Sequence, residues 1–100
     1  MADPDAAKAR RLTLTLHRPA LALYPGVRPT VVMAERAQPA QWGVGTWQID
    51  PAQPVVISVY LFNRLWRFGE AEIILAAGET GDVRYRAPLL PFGRGRLEKV

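Results

Sequence analysis

The sequence has 100 residues, 49% hydrophobic and 22% charged, with 9 Pro, 8 Gly and no Cys; this balance fits one small globular domain and argues against a disordered or two-domain chain. Without cysteine there is no disulfide framework, thiolate nucleophile or Cys-held zinc or iron-sulfur site. The net charge of +4 is within what solubility asks of a small domain, and a chain this long buries about 65% of its unfolded surface, enough for a core but little for an enclosed active-site cleft.

Residues 1–9 are Ala-rich and charged, interrupted by Pro4, and offer no apolar face; they read as a loose tail. Leu12, Leu14 and Leu16 then alternate with Thr13, Thr15 and His17, a period of two that predicts a strand with its leucines on one face. Pro19, Pro25, Gly26 and Pro29 break up the next dozen residues. Pro25-Gly26 is a turn signal, because proline presets the first turn angle and glycine accepts positive φ. Residues 30–34 (TVVMA) predict a strand, 35–41 a connection around Pro39, and 44–49 (VGTWQI) a short strand flanked by Gly43 and Gly45. After a turn at Asp50, Pro51 and Pro54 comes the strongest β segment, 55–62 (VVISVYLF), apolar on both faces and therefore central or covered.

Residues 63–69 (NRLWRFG) predict a turn and 70–76 (EAEIILA) a strand with Ala71, Ile73 and Leu75 inward. Glycines bound that stretch to about seven residues, too few for a secure isolated helix. Residues 82–87 (DVRYRA) alternate in the same way, so the connection 77–81 (AGETG) predicts a hairpin that sets Glu72 opposite Arg86. Pro88 and Pro91 then end the sheet before the basic, glycine-broken FGRGRLEKV. The expected organisation is a flexible tail over 1–10, one domain over 11–90 and a basic tail over 91–100. Six or seven short strands punctuated by Pro and Gly predict an all-β, small antiparallel β-sandwich.

The order of a strand at 30–34, a glycine and a strand ending near Ile49, a proline turn, the strong strand 55–62, the Phe68-Gly69 step and a final hairpin resembles the small bacterial β-sandwich domains of the PEGA and carboxypeptidase-regulatory-like kind. The resemblance covers residues 12–87. It implies a noncatalytic adhesion or scaffold module and carries no functional residues with it.

The inventory for catalysis is thin. His17 is the only histidine, so one chain cannot build a two-His metal site. An arrangement of Ser58, His17 and Asp50 would need an exposed nucleophile on a strained turn, and Ser58 lies mid-strand. Asp3 and Asp5 fall in the tail. Glu70 and Glu72 share a strand face at i and i+2 but are expected to face arginines, which favours the ionised form over a general acid. Gly43-Val44-Gly45 and Gly93-Arg94-Gly95 lack the spacing of a phosphate or dinucleotide loop. The chain is read as no enzyme, with no cofactor, metal or small-molecule substrate.

The cations are 11 Arg against Lys8 and Lys99, while Ser58 and Asn63 are the only Ser and Asn, a bias expected where GC-rich codons are favoured. The segment YLFNRLWRF concentrates aromatic area and positive charge, with Tyr60, Phe62, Trp66, Phe68 and the nearby Trp42 or Trp47 around Arg64 and Arg67. Tyr60, Phe62, Arg64, Trp66, Arg67 and Phe68 are the candidate interface, since Trp, Tyr and Arg anchor such surfaces. With Val56 and Ile74 also outward, the expected partner is a second copy or another protein. The alternative is an anionic polymer or membrane surface, nucleic acid or anionic lipid, met through an arginine face of Arg84, Arg86, Arg94 and Arg96 with Arg64 and Arg67. With no signal-peptide pattern and no stretch near 18 apolar residues, the expected location is cytoplasmic.

Overall fold

In the computed structural model, which describes residues 10–33, 35–49, 52–77 and 81–100, the chain is an all-β sandwich of two four-stranded sheets. The described residues form β1 (Arg10–His17), β2 (Pro29–Met33), β3 (Arg36–Pro39), β4 (Gly43–Ile49), β5 (Val55–Phe62), β6 (Arg67–Leu75), β7 (Gly81–Arg86) and β8 (Arg96–Lys99). One sheet has the order β4-β1-β7-β8 and the other β3-β2-β5-β6. All pairings between these strands are antiparallel except β1 with β7, which run parallel from Leu12 beside Gly81 to His17 beside Arg86. Apart from Arg10, the expected N-terminal tail lies outside the described residues.

The core forms where the period-two faces of the sheets meet. Leu12, Leu14 and Leu16 of β1 and Val83 and Tyr85 of β7 pack against Val31 and Met33 of β2 and Ile57, Val59 and Leu61 of β5. Each such side chain contributes about 1.5–3 kcal/mol by leaving water. As its two apolar faces predict, β5 is central, between β2 and β6.

Four expectations are corrected. There are eight strands among the described residues, not six or seven, because Arg36–Pro39 pairs with β2 and Arg96–Lys99 with β7. The GRGR segment therefore leads into a strand and is no tail. The strands expected to form a final hairpin, β6 and β7, lie in opposite sheets, joined by the Tyr85 hydroxyl that reaches the Gly69 carbonyl. Consequently Glu72 is opposite Ser58, whose hydroxyl donates to the Glu72 carboxylate at 3.3 Å, and Arg86 pairs with Glu98 at 3.5 Å.

A bulge in β6 explains the placement of Phe68. Val59 pairs with Ala71 and Leu61 with Phe68, so Gly69 and Glu70 together oppose Tyr60. Gly69 takes φ 66°, the left-handed conformation of a bulge glycine. The extra residue reverses the alternation, so Phe68 points inward with Ala71 and is buried. There its ring meets Tyr24 edge-on, at 4.9 Å between centroids. Phe68 is thus a core residue, not part of an exposed surface as expected.

The same bulge ties the sheets together. Gly69 N donates to the Gly93 carbonyl at 2.7 Å and Gly95 N to the Glu70 carbonyl at 3.2 Å, making a short parallel bridge between Glu70 and Arg94. Beneath it Tyr85, fully buried, donates its hydroxyl to the Gly69 carbonyl at 2.5 Å. Burial is the main reason its pKa is raised, with neighbouring Tyr24 adding to the effect. A Cβ on Gly69 would come within 2.7 Å of Tyr85 Oη, and one on Gly95 within 2.5 Å of Tyr85 Cε1. Only glycine fits at both positions.

Candidate functional site

The pairing registers send four connections to one end of the sandwich: 18–28, 40–42, 63–66 and 87–95. His17 ends beside Arg86, Leu16 beside Gly43, Pro29 beside Leu61 and Phe62 beside Arg67. Side-chain and backbone hydrogen bonds then staple these loops to one another. Leu23 N donates to the Leu89 carbonyl at 3.0 Å, the Tyr24 hydroxyl donates to the Pro88 carbonyl, and Trp42 Nε1 donates to the Val27 carbonyl at 2.9 Å. Trp66 Nε1 donates to the Pro91 carbonyl at 2.7 Å, joining the 63–66 turn to the 87–95 loop.

Two of the loops also carry their own local order. Val27 N donates back to the Tyr24 carbonyl across Pro25-Gly26, where Gly26 has φ 81°; this is the turn the dipeptide predicts. In the β5–β6 turn, Asn63 Oδ1 accepts from both Leu65 N and Trp66 N at 2.9 Å, and Arg64 is held at φ 80°. Asparagine is suited to this because its short side chain substitutes for a backbone acceptor.

Large apolar side chains project from this order into solvent. Of the twelve that are exposed among the described residues, eight belong to this end: Leu21 and Leu23 from the first loop, Phe62, Leu65 and Trp66 around the turn, and Leu89, Leu90 and Phe92 from the last loop. Leu21 is 78% and Leu65 79% exposed, so they stand clear of their neighbours. The four connections also hold Arg18, Arg28, Arg64 and Arg94 and no Asp or Glu. Arg18 lies 5.7 Å over the Trp42 ring, and its charge partly opposes the burial that raises the Tyr24 pKa.

The expected interface residues divide. Phe62, Arg64 and Trp66 belong to the loop end. Tyr60 lies on the outer face of the β3-β2-β5-β6 sheet, half-buried, with the Arg67 guanidinium 4.4 Å over its ring, a cation–π arrangement. Phe68 is in the core. Trp42 and Trp47 do not join an aromatic cluster around Arg64 and Arg67: Trp42 packs with the first loop, and Trp47 lies over Gly45 and lines a depression of about 450 Å³ with Met33, Arg36 and Gln38.

The arginine face is also split. Arg84, Arg86 and Arg96 share the outer face of the β4-β1-β7-β8 sheet, with Arg86 directly opposite Arg96 and beside His17. Glu98 opposes Arg84 and pairs with Arg86. Arg94 instead borders a groove of about 560 Å³ on the other sheet, lined by Ser58, Tyr60, Arg67, Glu70 and Glu72. Thus Glu70 and Glu72 do sit near arginines, but these are Arg67 and Arg94.

Ser58 and His17 lie on the outer faces of opposite sheets, so no hydroxyl–imidazole relay joins them, and Asp50 is outside the described residues. Among the described residues no three His, Asp or Glu side chains gather to hold a metal ion, and no helix is long and apolar enough to cross a membrane.

Sequence reasoning missed Leu21, Leu23, Leu89, Leu90 and Phe92. Their signal is apolar residues within proline-punctuated segments, LALYP and PLLPF, where no alternation provides a buried face. Comparison of the chain with protein-family models, curated proteins and solved structures finds no match in any of the three.

Proposed function

We propose that the chain is a non-enzymatic interaction module that docks through its apolar loop end. The observation that carries this reading is the convergence of seven exposed apolar side chains from three loops that are hydrogen-bonded to one another, with Phe62 at the end of β5 as an eighth. Exposed apolar side chains concentrated at one end of a domain mark an interaction site. Loops held in place also lose little conformational freedom on binding, which favours a docking role. The resemblance to PEGA and carboxypeptidase-regulatory-like domains points to the same noncatalytic class.

A second reading rests on Val56 and Ile74, directly opposed and exposed on the outer face of β5 and β6. That face suits association with a second copy of the chain. It holds two exposed apolar side chains against eight at the loop end, and the polar pair Ser58 and Glu72 lies next to them.

The two readings separate with bis-ANS, an apolar anionic dye. The folded protein is expected to enhance its fluorescence, and Leu21→Ser with Leu65→Ser to lower that enhancement several-fold at unchanged melting temperature. Enhancement that survives this pair and is lost in Val56→Ser with Ile74→Ser would move the docking surface to the sheet face and overturn the proposal.

A further inference from the structure

Resting on the loop end as the docking surface, we infer that its occupant is an anionic lipid surface. Leu21, Leu65 and Phe92 enter the headgroup and acyl boundary while Arg18, Arg28 and Arg64 meet lipid phosphates. Three features of the loop end select that partner.

The first is shape. Leu21 and Leu65 are almost four-fifths exposed and come from different loops, so they form separate projections. The two grooves described above are lined by none of the loop end's exposed apolar side chains. A rigid protein partner needs a matching pocket for each projection, whereas a fluid bilayer closes around them. Interfacial segments bury their apolar side about 5–10 Å deep, a depth that protruding side chains reach without the sheets entering.

The second is charge. The four connections hold no carboxylate and carry Arg18, Arg28 and Arg64, with Arg94 set apart at the groove that Glu70 and Glu72 line. Two copies meeting end to end would bring like charges together. A surface rich in anionic lipid instead gains from each arginine near it. The leucines argue against nucleic acid, because aliphatic side chains offer no π face on which a base can stack.

The third is backbone satisfaction. Peptide groups that leave water without partners resist insertion. Here Ala22 N, Leu23 N, Leu65 N and Trp66 N already have acceptors inside the loop end. Trp66, with Nε1 bonded to the Pro91 carbonyl, presents the amphipathic ring that favours the membrane–water boundary.

The test is co-sedimentation with sucrose-loaded vesicles of phosphatidylcholine alone or with roughly 30% phosphatidylglycerol, at about 50 and about 500 mM salt, beside light scattering of the free protein. The inference predicts a monomer that binds the phosphatidylglycerol vesicles, more weakly at high salt. Leu21→Ser with Leu65→Ser is expected to weaken binding about ten-fold or more. Arg28→Gln with Arg64→Gln is expected to remove the preference for anionic vesicles.

Absence of vesicle binding, with a dimer that the leucine pair converts to monomer, would overturn the lipid inference while leaving the loop end as the docking surface. Vesicle binding unaffected by the leucine pair but lost in Arg84→Gln with Arg86→Gln would overturn both, placing contact on the arginine-bearing sheet.

Discussion

Gly69→Ala tests how the loop end is anchored. The native φ of 66° costs an alanine about 1 kcal/mol. The added Cβ would lie 2.7 Å from Tyr85 Oη, 3.0 Å from Pro88 Cδ and 3.2 Å from Leu61 Cδ1, and relieving such overpacking costs about 1–3 kcal/mol. Moving Tyr85 also separates its buried hydroxyl from the Gly69 carbonyl, a loss of about 1–3 kcal/mol. These contributions overlap, so we expect about 4 kcal/mol in all, a large share of the 5–15 kcal/mol typical of such a domain. At about 4–8 °C per kcal/mol the melting temperature should fall by roughly 15–30 °C. Gly26→Ala is the matched control, with φ 81° but nothing within 4 Å of the new Cβ, and should cost only about 1 kcal/mol. Thermal and urea unfolding followed by circular dichroism measure both. If Gly69→Ala cost no more than Gly26→Ala, the Tyr85-centred seam would not be what holds the 87–95 loop to β6.

Other expectations follow from neighbouring contacts. Phe68→Ala should cost about 3–5 kcal/mol in urea unfolding, as loss of a core aromatic does, whereas Phe62→Ala, on a half-exposed side chain, should cost well below that. Asn63→Ala removes the acceptor of Leu65 N and Trp66 N and should cost about 1–2 kcal/mol, with amide exchange accelerated at 65 and 66. Burial raises the pKa of Tyr85 strongly and that of Tyr24 in the same direction from the usual 10.0. The folded state therefore keeps the phenolic protons longer than the unfolded state does, and their contribution is intact below pH 10 and lost as pH climbs beyond it. Urea unfolding between pH 8 and 11.5 should show that fall, with a shallower slope in Tyr85→Phe; an equal slope would remove Tyr85 as its source.

Much of the fold was legible because alternation reports burial directly. Leu12, Leu14 and Leu16 lie in the core as their spacing predicts, and β5 spans the expected 55–62. Alternation does not say whether two strands lie side by side or in opposite sheets. Ile73 and Leu75 and Val83 and Tyr85 satisfy the same pattern from opposite sheets, which is why a hairpin was expected where the chain changes sheets. Residues 36–39 (RAQP) form an edge strand with no apolar face to announce it. Residues 96–99 were hidden by Gly93 and Gly95, which serve contact with β6 and Tyr85 and do not mark a flexible tail.

The candidate site was half legible for the same reason. Phe62, Arg64 and Trp66 were singled out by composition, and all three fall at the loop end. Phe68 was misplaced because the parity reversal at Gly69 depends on a backbone angle rather than on residue type. Leu21, Leu89 and Phe92 gain their meaning only when 18–28 and 87–95 are brought together by the Leu23–Leu89 hydrogen bond, a contact across 66 residues that no local pattern encodes.

The account rests on the loop end as the working surface, and amide chemical shifts recorded on adding bicelles that contain phosphatidylglycerol test it most directly. The predicted result is perturbation confined to the amides of residues 20–24, 63–66, 89–90 and 92–93. Perturbation of 82–86 and 96–99, or of 56–60 and 70–74, with the loop amides unmoved, would contradict it.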